Sequence, residues 1–147
     1  MANEYSVALS IAAPAQRVWD LLVDAPGYKG WNASVVSIDG AIALGRTLKL
    51  VSAVNPGRIF VLKVTAMDPP HRLVWTGGMP LGLFTGTRTF LIESAGAGCR
   101  FSMSEVYTGL MSGLIFKSIP DLNDSFQQFA GCLKAAAEQA VLSHSPQ

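Results

Sequence analysis

Two oppositely charged residues, Arg88 and Glu105, are spaced so that they are expected to meet. The runs Gly86–Ser94 and Cys99–Thr108 alternate apolar and polar residues, which is the pattern of half-buried strands. A four-residue connection between the two runs places Arg88 directly opposite Glu105. Both side chains then lie on the apolar face, where an unpaired charge would cost several kcal/mol. We therefore predict an inward ion pair.

The predicted ion pair has two interpretations. One is a structural pair near the end of the sheet. The other is a polar anchor for one end of an otherwise apolar ligand, because apolar pockets fix a ligand's orientation with a few polar groups. Tyr107 lies on the same face as Glu105, and its hydroxyl needs a hydrogen-bond partner if it points inward. We expect any polar contribution to ligand orientation to come from these three residues.

A larger set of apolar residues shares the inward face with them. Such a stripe is either core or the wall of a binding site, and the sequence leaves both interpretations open. The candidates on strands are Trp75, Phe60, Leu62, Phe90, Phe101 and Met103. The candidates elsewhere are Met111 and Phe116 in an apolar loop and Leu122, Phe126 and Phe129 at helical spacing.

Two loops are unusually apolar. Connecting segments normally expose polar residues, whereas Gly109–Phe116 and Gly77–Leu83 consist mainly of glycine and large hydrophobic residues. The first segment is either a short helix packed against the long helix or a movable rim through which an apolar ligand enters. The same surface could serve a partner protein or a second copy of the chain.

The remaining reactive residue types give little indication of chemistry. We expect His71 to be exposed or capping, His144 to have no role, and Cys99 and Cys132 to be free thiols. The sequence has no phosphate-cradling glycine loop, nucleophile elbow or His-Glu-x-x-His motif, so we expect no cofactor and no metal ion. Catalytic residues remain unknown from the sequence alone.

The elements that position these residues follow from periodicity and turn signals. The pattern predicts one strand, two short helices, six strands and a long helix. The long helix is expected over about Ile119–Leu142, with Ser118 as its cap and Pro120 in its first turn. The other expected elements are a strand at Tyr5–Ile11, helices after Pro14 and at Tyr28–Asn32, and strands at Val35–Asp39, Thr47–Val51, Arg58–Met67 and His71–Gly77.

Length and charge limit the possible classes of protein. The chain has 147 residues, so we expect one domain over 1–147 with a frayed tail at 143–147. A net charge of +1 provides no basic field that would hold nucleic acid or an anionic membrane. No segment is long and apolar enough to span a bilayer, and no signal peptide is evident. We expect a cytoplasmic protein that is a monomer or a homodimer.

Several motifs together resemble a known superfamily. The chain is similar to the START/pollen-allergen superfamily, also called SRPBCC, and within it to the polyketide cyclase/dehydrase-like branch. The match covers essentially the whole chain, with Ala33 in a place where that branch usually has proline. The residues that carry it are Ile11, Ala13, Pro14, Val18 and Trp19; Trp31-Asn32; Leu73 and Trp75; Phe84-Thr85-Gly86; Arg100, Phe101, Met103, Glu105, Tyr107 and Gly109; and Phe126, Phe129, Leu133, Lys134 and Glu138.

The resemblance implies an α+β helix-grip fold. In that fold a seven-stranded antiparallel sheet wraps around a long C-terminal helix, two short helices lie between the first and second strands, and sheet and helix enclose an apolar cavity. The implied function is binding of a hydrophobic small molecule, such as a polyketide-like, lipid, isoprenoid or aromatic compound. Whether the cavity is open or plugged by Trp75, Phe101 and Phe129 is not decided by the sequence.

Two other functions remain as alternatives. One is an enzyme of the polyketide cyclase, aromatase or dehydratase type that uses the same cavity, with Glu105 as the natural base. Burial favours its neutral form whereas Arg88 favours its charged form, so we rank binding above catalysis. The other is a chaperone-associated or similar protein-interaction module that docks through the apolar loops.

Overall fold

The structure, a computed structural model, describes residues 3–143. Of the predicted tail 143–147, Ser143 is the last residue of the C-terminal helix, and His144 and residues 145–147 lie outside the described residues. The element order matches the predicted order of one strand, short helices, six strands and a C-terminal helix. The elements are β1 (Asn3–Ile11), α1 (Ala15–Leu22), a 3₁₀ turn (Ala25–Gly27), α2 (Tyr28–Trp31), β2 (Val35–Asp39), β3 (Thr47–Ser52), β4 (Phe60–Asp68), β5 (Arg72–Met79), β6 (Phe84–Ala95), β7 (Gly98–Thr108), α3 (Ser112–Ser118) and α4 (Asn123–Ser143).

The seven strands form one antiparallel sheet in the order β1-β7-β6-β5-β4-β3-β2. The predicted hairpin register between β6 and β7 is confirmed, because Arg88 pairs with Glu105 and Phe90 pairs with Met103. The large apolar residues on the inward face of this hairpin, including Ile92, are almost fully buried, whereas Leu91 on the other face is exposed. The alternation of residue types therefore fixed both the register and the buried face.

The C-terminal helix begins later than predicted. Ile119 is extended, with φ −84° and ψ 157°, because the ring of Pro120 disfavours the helical region for the residue before it. The chain therefore ends α3 at Ser118, whose hydroxyl donates to Ile115 O and does not cap α4. Asp121 Oδ1 accepts from the backbone N–H of Asn123 at 2.9 Å, where α4 begins.

Helix α4 packs mainly against β1 and α1. Its buried face includes Phe126, Phe129 and Leu133, as the helical spacing predicts, together with Ala130 and Ala137. Two polar contacts fasten it to the end of β1. The backbone N–H of Ala12 donates to Glu138 Oε2 at 2.7 Å, and Lys134 Nζ donates to Ser10 O at 2.9 Å.

Within residues 3–143, no helix is both long enough and apolar enough to cross a bilayer.

Candidate functional site

The middle of the inner face of the sheet is filled with side chains. Trp75, Phe90, Phe101 and Phe129 are at most 2% exposed. The ring centroids of Trp75 and Phe90 are 4.7 Å apart, and those of Phe90 and Phe129 are 5.7 Å apart. A side chain beside a void large enough for water would keep accessible surface facing that void. These rings keep almost none, so they pack against one another. Met103 and Phe126, also candidate binding residues, are equally buried.

One end of the inner face remains accessible. Phe60 and Leu62 on β4, Arg88 on β6 and Glu105 on β7 are only half-buried, although all four point inward. We call these four residues the open end of the sheet. The candidate residues that border it from the C-terminal third of the chain, Met111, Phe116 and Leu122, are half-buried as well.

Arg88, Glu105 and Tyr107 form one polar cluster at the open end. Arg88 Nε lies 3.3 Å from Glu105 Oε1, and Arg88 Nη2 donates to Glu105 Oε2 at 3.3 Å. The Tyr107 hydroxyl also donates to Oε2. The guanidinium carbon of Arg88 lies 4.8 Å from the ring centroid of Phe126, close enough for a cation–π contact. The predicted ion pair is thus confirmed, and the tyrosine hydroxyl has a partner.

The surroundings of the cluster determine its charge. Burial raises the pKa of Tyr107 above its ordinary value of 10.0, and the negative charge of Glu105 raises it further. Tyr107 therefore remains a neutral hydrogen-bond donor near neutral pH. Within residues 3–143, Arg88 Nε is buried and finds no acceptor with good hydrogen-bond geometry. An arginine carries five N–H donors, so the cluster has more donors than its own acceptors use.

A pair of glycines, Gly77 and Gly86, makes room beside the cluster. They face each other in the register of β5 and β6. A Cβ at Gly86 would lie 3.2 Å from the ring of Tyr107, and a Cβ at Gly77 would lie 2.7 Å from Leu62 Cδ2. The missing side chains let Tyr107 and Leu62 lie directly on the backbone. This pair was not predicted from the sequence, although both glycines stand at inward positions of predicted strands.

The apolar segment Gly109–Phe116 includes a short helix, as one of the two interpretations predicts. Helix α3 packs mainly on β7 and β1, whereas that interpretation placed it against the long helix. Its Phe116 ring stacks on Tyr5 with centroids 5.1 Å apart and lies 5.7 Å from the ring of Tyr107. Helix α3 thus covers one side of the polar cluster, while its Leu114 remains exposed.

The other reactive residues do not join this site. His71 is exposed at the start of β5, and its Nδ1 lies 2.9 Å from Ile92 O. Cys99 and Cys132 are free thiols, as predicted, and burial raises the pKa of Cys99. Among the described residues, no three histidine, cysteine or acidic side chains are grouped as a metal site would require.

A separate cavity of about 170 Å³ lies at the edge strand β2, away from the expected position between sheet and α4. The sequence pattern did not predict it, because it depends on how the 3₁₀ turn and α2 lie against β2. Its lining consists of Ala25, Pro26, Tyr28, Lys29, Val35, Val36, Ser37 and Ile38.

Comparison with solved structures defines the class of fold. A START superfamily protein from Mycobacterium smegmatis is similar, with a TM-score of 0.70, 17% identity, and coverage of 93% of this chain and 98% of that one. The di-domain ARO/CYC StfQ from the steffimycin biosynthetic pathway gives a TM-score of 0.73 at 12% identity, covering 96% of this chain and 52% of that one. Protein CV1439 from Chromobacterium violaceum is similar with a TM-score of 0.67 and 18% identity, and the match covers 92% of this chain and 97% of that one. The fold is therefore the helix-grip fold.

The family follows from the sequence match. The family described as polyketide cyclase / dehydrase and lipid transport matches residues 4–138. The chain belongs to this family. Among curated proteins, none matches the chain significantly. Family and fold fit either ligand binding or a cyclase role.

Proposed function

We propose that this protein binds a hydrophobic small molecule, such as a polyketide-like, lipid, isoprenoid or aromatic compound, at the open end of the sheet. The observation that carries the proposal is that Phe60, Leu62, Arg88 and Glu105 point inward and yet keep accessible surface. Apolar side chains beside a few polar groups are the usual composition of a small-molecule site. Burial of the ligand's apolar surface would supply most of the affinity.

The polar cluster supports a more specific role in orientation. Its charges cancel, since Arg88 and Glu105 are paired. The spare donors of Arg88 favour a ligand with a hydrogen-bond acceptor, and a neutral cluster favours a neutral one. The filled middle of the sheet supports a ligand that enters only partway, with its polar end beside Arg88 and its apolar end against Leu62.

The experiment is a titration with phenylnaphthylamine, whose fluorescence increases on transfer into an apolar site. We expect the wild type to bind the probe and the variant Leu62→Gln to bind it at least about tenfold more weakly, because an amide would occupy an apolar contact. Val61→Gln is the matched control, since Val61 is the neighbouring residue and is exposed on the outer face. Equal affinity of the two variants, or no binding by the wild type, would contradict the proposal.

A second candidate function is an enzyme of the polyketide cyclase type. The observation that favours it is the contact of Tyr107 with Glu105, because a neutral hydroxyl beside a carboxylate is a pair through which a proton can move. Tyr107→Phe distinguishes the two candidates. A binding protein would keep its probe affinity within a few-fold, whereas an enzyme would lose turnover of a poly-ketone substrate while still binding it.

A further inference from the structure

Three loops meet at the same end of the sheet. The register pairs Leu62 with Gly77 and Gly86 with Tyr107, so the connections after β3, β5 and β7 all lie at this end. Two of them are joined by backbone hydrogen bonds, since Leu110 N donates to Gly82 O at 3.2 Å and Met111 N donates to Leu83 O at 2.8 Å. They border the open end and form one surface.

This surface carries highly exposed leucines at its tips. Leu81 is 92% exposed, Leu110 is 89% exposed, and Leu114 on α3 is 67% exposed. We call these three residues the leucine tips. Exposed apolar side chains are common singly, but a concentration at one end of a molecule marks an interaction site. Further exposed hydrophobic residues at this end are Val54, Ile59 and Met79.

The backbone of Leu81 indicates that its position is not optimised for stability. Leu81 has φ +62° and the next residue, Gly82, has φ +72°, within a turn closed by the bond from Leu83 N to Pro80 O. Positive φ at both central positions is typical of turns that use asparagine and glycine, and it costs a leucine roughly 1–2 kcal/mol. A strained and exposed leucine suggests a role outside the folded chain.

The loops of this surface carry two exposed basic residues. Arg58 precedes β4 and Lys117 lies on α3, and both are exposed. The loops 53–59, 80–83 and 109–118 contain no aspartate or glutamate, although exposed Asp121 and Asp124 follow α3 at the start of α4. The protein as a whole has a net charge of only +1, so it produces no strong long-range field. Any attraction to an anionic surface comes from these basic side chains at short range.

We propose that this end of the protein docks on a lipid bilayer, with the leucine tips inserted among the lipids and Arg58 and Lys117 at anionic headgroups. Separate protruding leucines suit a fluid surface, whereas protein interfaces favour aromatic residues and arginine in a packed centre and under-represent leucine. The surface borders the open end, so an apolar ligand would pass between bilayer and protein without crossing water. Docking goes beyond the proposed function, because it can occur with the open end empty.

The test is co-sedimentation with vesicles of phosphatidylcholine, alone or mixed with phosphatidylglycerol. We expect binding to both, stronger with phosphatidylglycerol and weakened by salt. The variant Leu81→Asn should fold at least as stably as the wild type, because asparagine suits the turn, and yet bind about tenfold more weakly. Leu44→Ser is the matched control, since Leu44 is exposed in the connection between β2 and β3 at the opposite end of β3.

The charged residues give a second, independent variant. Arg58→Ala with Lys117→Ala should weaken binding to phosphatidylglycerol vesicles by about fivefold per charge and change binding to phosphatidylcholine alone much less. Lys63→Ala on β4 is its control. Failure of the wild type to sediment with either vesicle, or equal binding by Leu81→Asn, would overturn the proposal. A dimer that dissociates on Leu81→Asn, without vesicle binding, would also overturn it and would assign the surface to a second copy.

Discussion

The polar side chains of this fold form two separate groups, one that joins α4 to β1 and one at the open end. Glu138 and Lys134 fasten α4 to the end of β1 and lie far from the open end. Arg88, Glu105 and Tyr107 lie at the open end and are half-buried or buried. The first group joins two elements of the fold, whereas the second could contribute both to stability and to the proposed binding. The two groups therefore call for different measurements.

Glu138→Gln should lower stability in a pH-dependent manner. The N–H of Ala12 and then Lys134 hold the pKa of Glu138 below its ordinary value of 4.5. A lowered folded-state pKa gives stability that is complete above the unfolded-state pKa and is lost as the pH falls through the folded-state pKa. Because solvent screens this accessible carboxylate, urea unfolding should show a loss of at most about 1 kcal/mol near pH 7 that shrinks by about pH 3.

The control for that experiment is Glu93→Gln, an exposed position on β6. It should change the free energy of unfolding by less than about 0.5 kcal/mol at either pH. A loss for Glu138→Gln that is the same at both pH values would show that the carboxylate charge does not hold the helix.

Arg88 and Glu105 should be energetically coupled. Replacing either one leaves the other charge half-buried without its partner, so Arg88→Met and Glu105→Gln should each destabilise by about 1–3 kcal/mol. The double variant should lose less than the sum, with a coupling energy of about 1–2 kcal/mol from urea unfolding. The probe affinity of the same variants tests whether Arg88 and Glu105 also anchor a ligand. If Glu105→Gln changes neither stability nor probe affinity, the anchor hypothesis is wrong.

At the scale of elements, we propose α3 as the part whose movement would widen access to the open end. Phe116 covers the Tyr5 and Tyr107 rings, and Gly113 lies within the helix at a point where an added Cβ would meet open space. Glycine inside a helix costs roughly 0.5–1 kcal/mol relative to alanine, which keeps α3 easy to unfold locally. This is the property that a gate requires.

Gly113→Ala should therefore slow the entry of the probe without changing its final affinity. Stopped-flow mixing measures the rate, and the equilibrium titration measures the affinity. Gly131→Ala in α4 is the matched control, because it too has open space around it and should add about 0.5–1 kcal/mol of stability. Equal entry rates for the two variants would show that α3 does not gate the site.

The elements also show what the sequence pattern could and could not predict. The β6–β7 register was predictable, since a shift of one residue would expose Phe90 and bury Thr89. The start of α4 was not, because Leu122 continues the helical spacing of Phe126 although Pro120 keeps the preceding residue extended. Periodicity describes which face is apolar and does not locate the first hydrogen bond of a helix.

The candidate site was predictable only in part, for a similar reason. Pairing of Arg88 with Glu105 follows from register within one hairpin. The filling of the middle by Trp75, Phe90 and Phe129 depends on how α4 crosses strands that are distant in sequence. The alternating pattern places both Trp75 and Leu62 on the inward face, yet Trp75 is part of the core and Leu62 is accessible. Which inward residues become core and which line an accessible site depends on the packing of elements that are distant in sequence.

At the scale of the whole molecule, the open end and the leucine tips lie at the same end of the sheet. If both proposals hold, an apolar ligand is taken up during contact with the bilayer. The uptake rate from probe-loaded vesicles should then increase with vesicle concentration. Transfer through water is instead limited by release of the probe from the vesicle, and its rate becomes independent of vesicle concentration.

Leu81→Asn should reduce this uptake rate by about tenfold and leave affinity for the free probe unchanged, because Leu81 lies outside the open end. Leu62→Gln should reduce affinity and leave vesicle docking unchanged. A rate that does not depend on vesicle concentration would separate the two surfaces functionally, even if each binds as proposed.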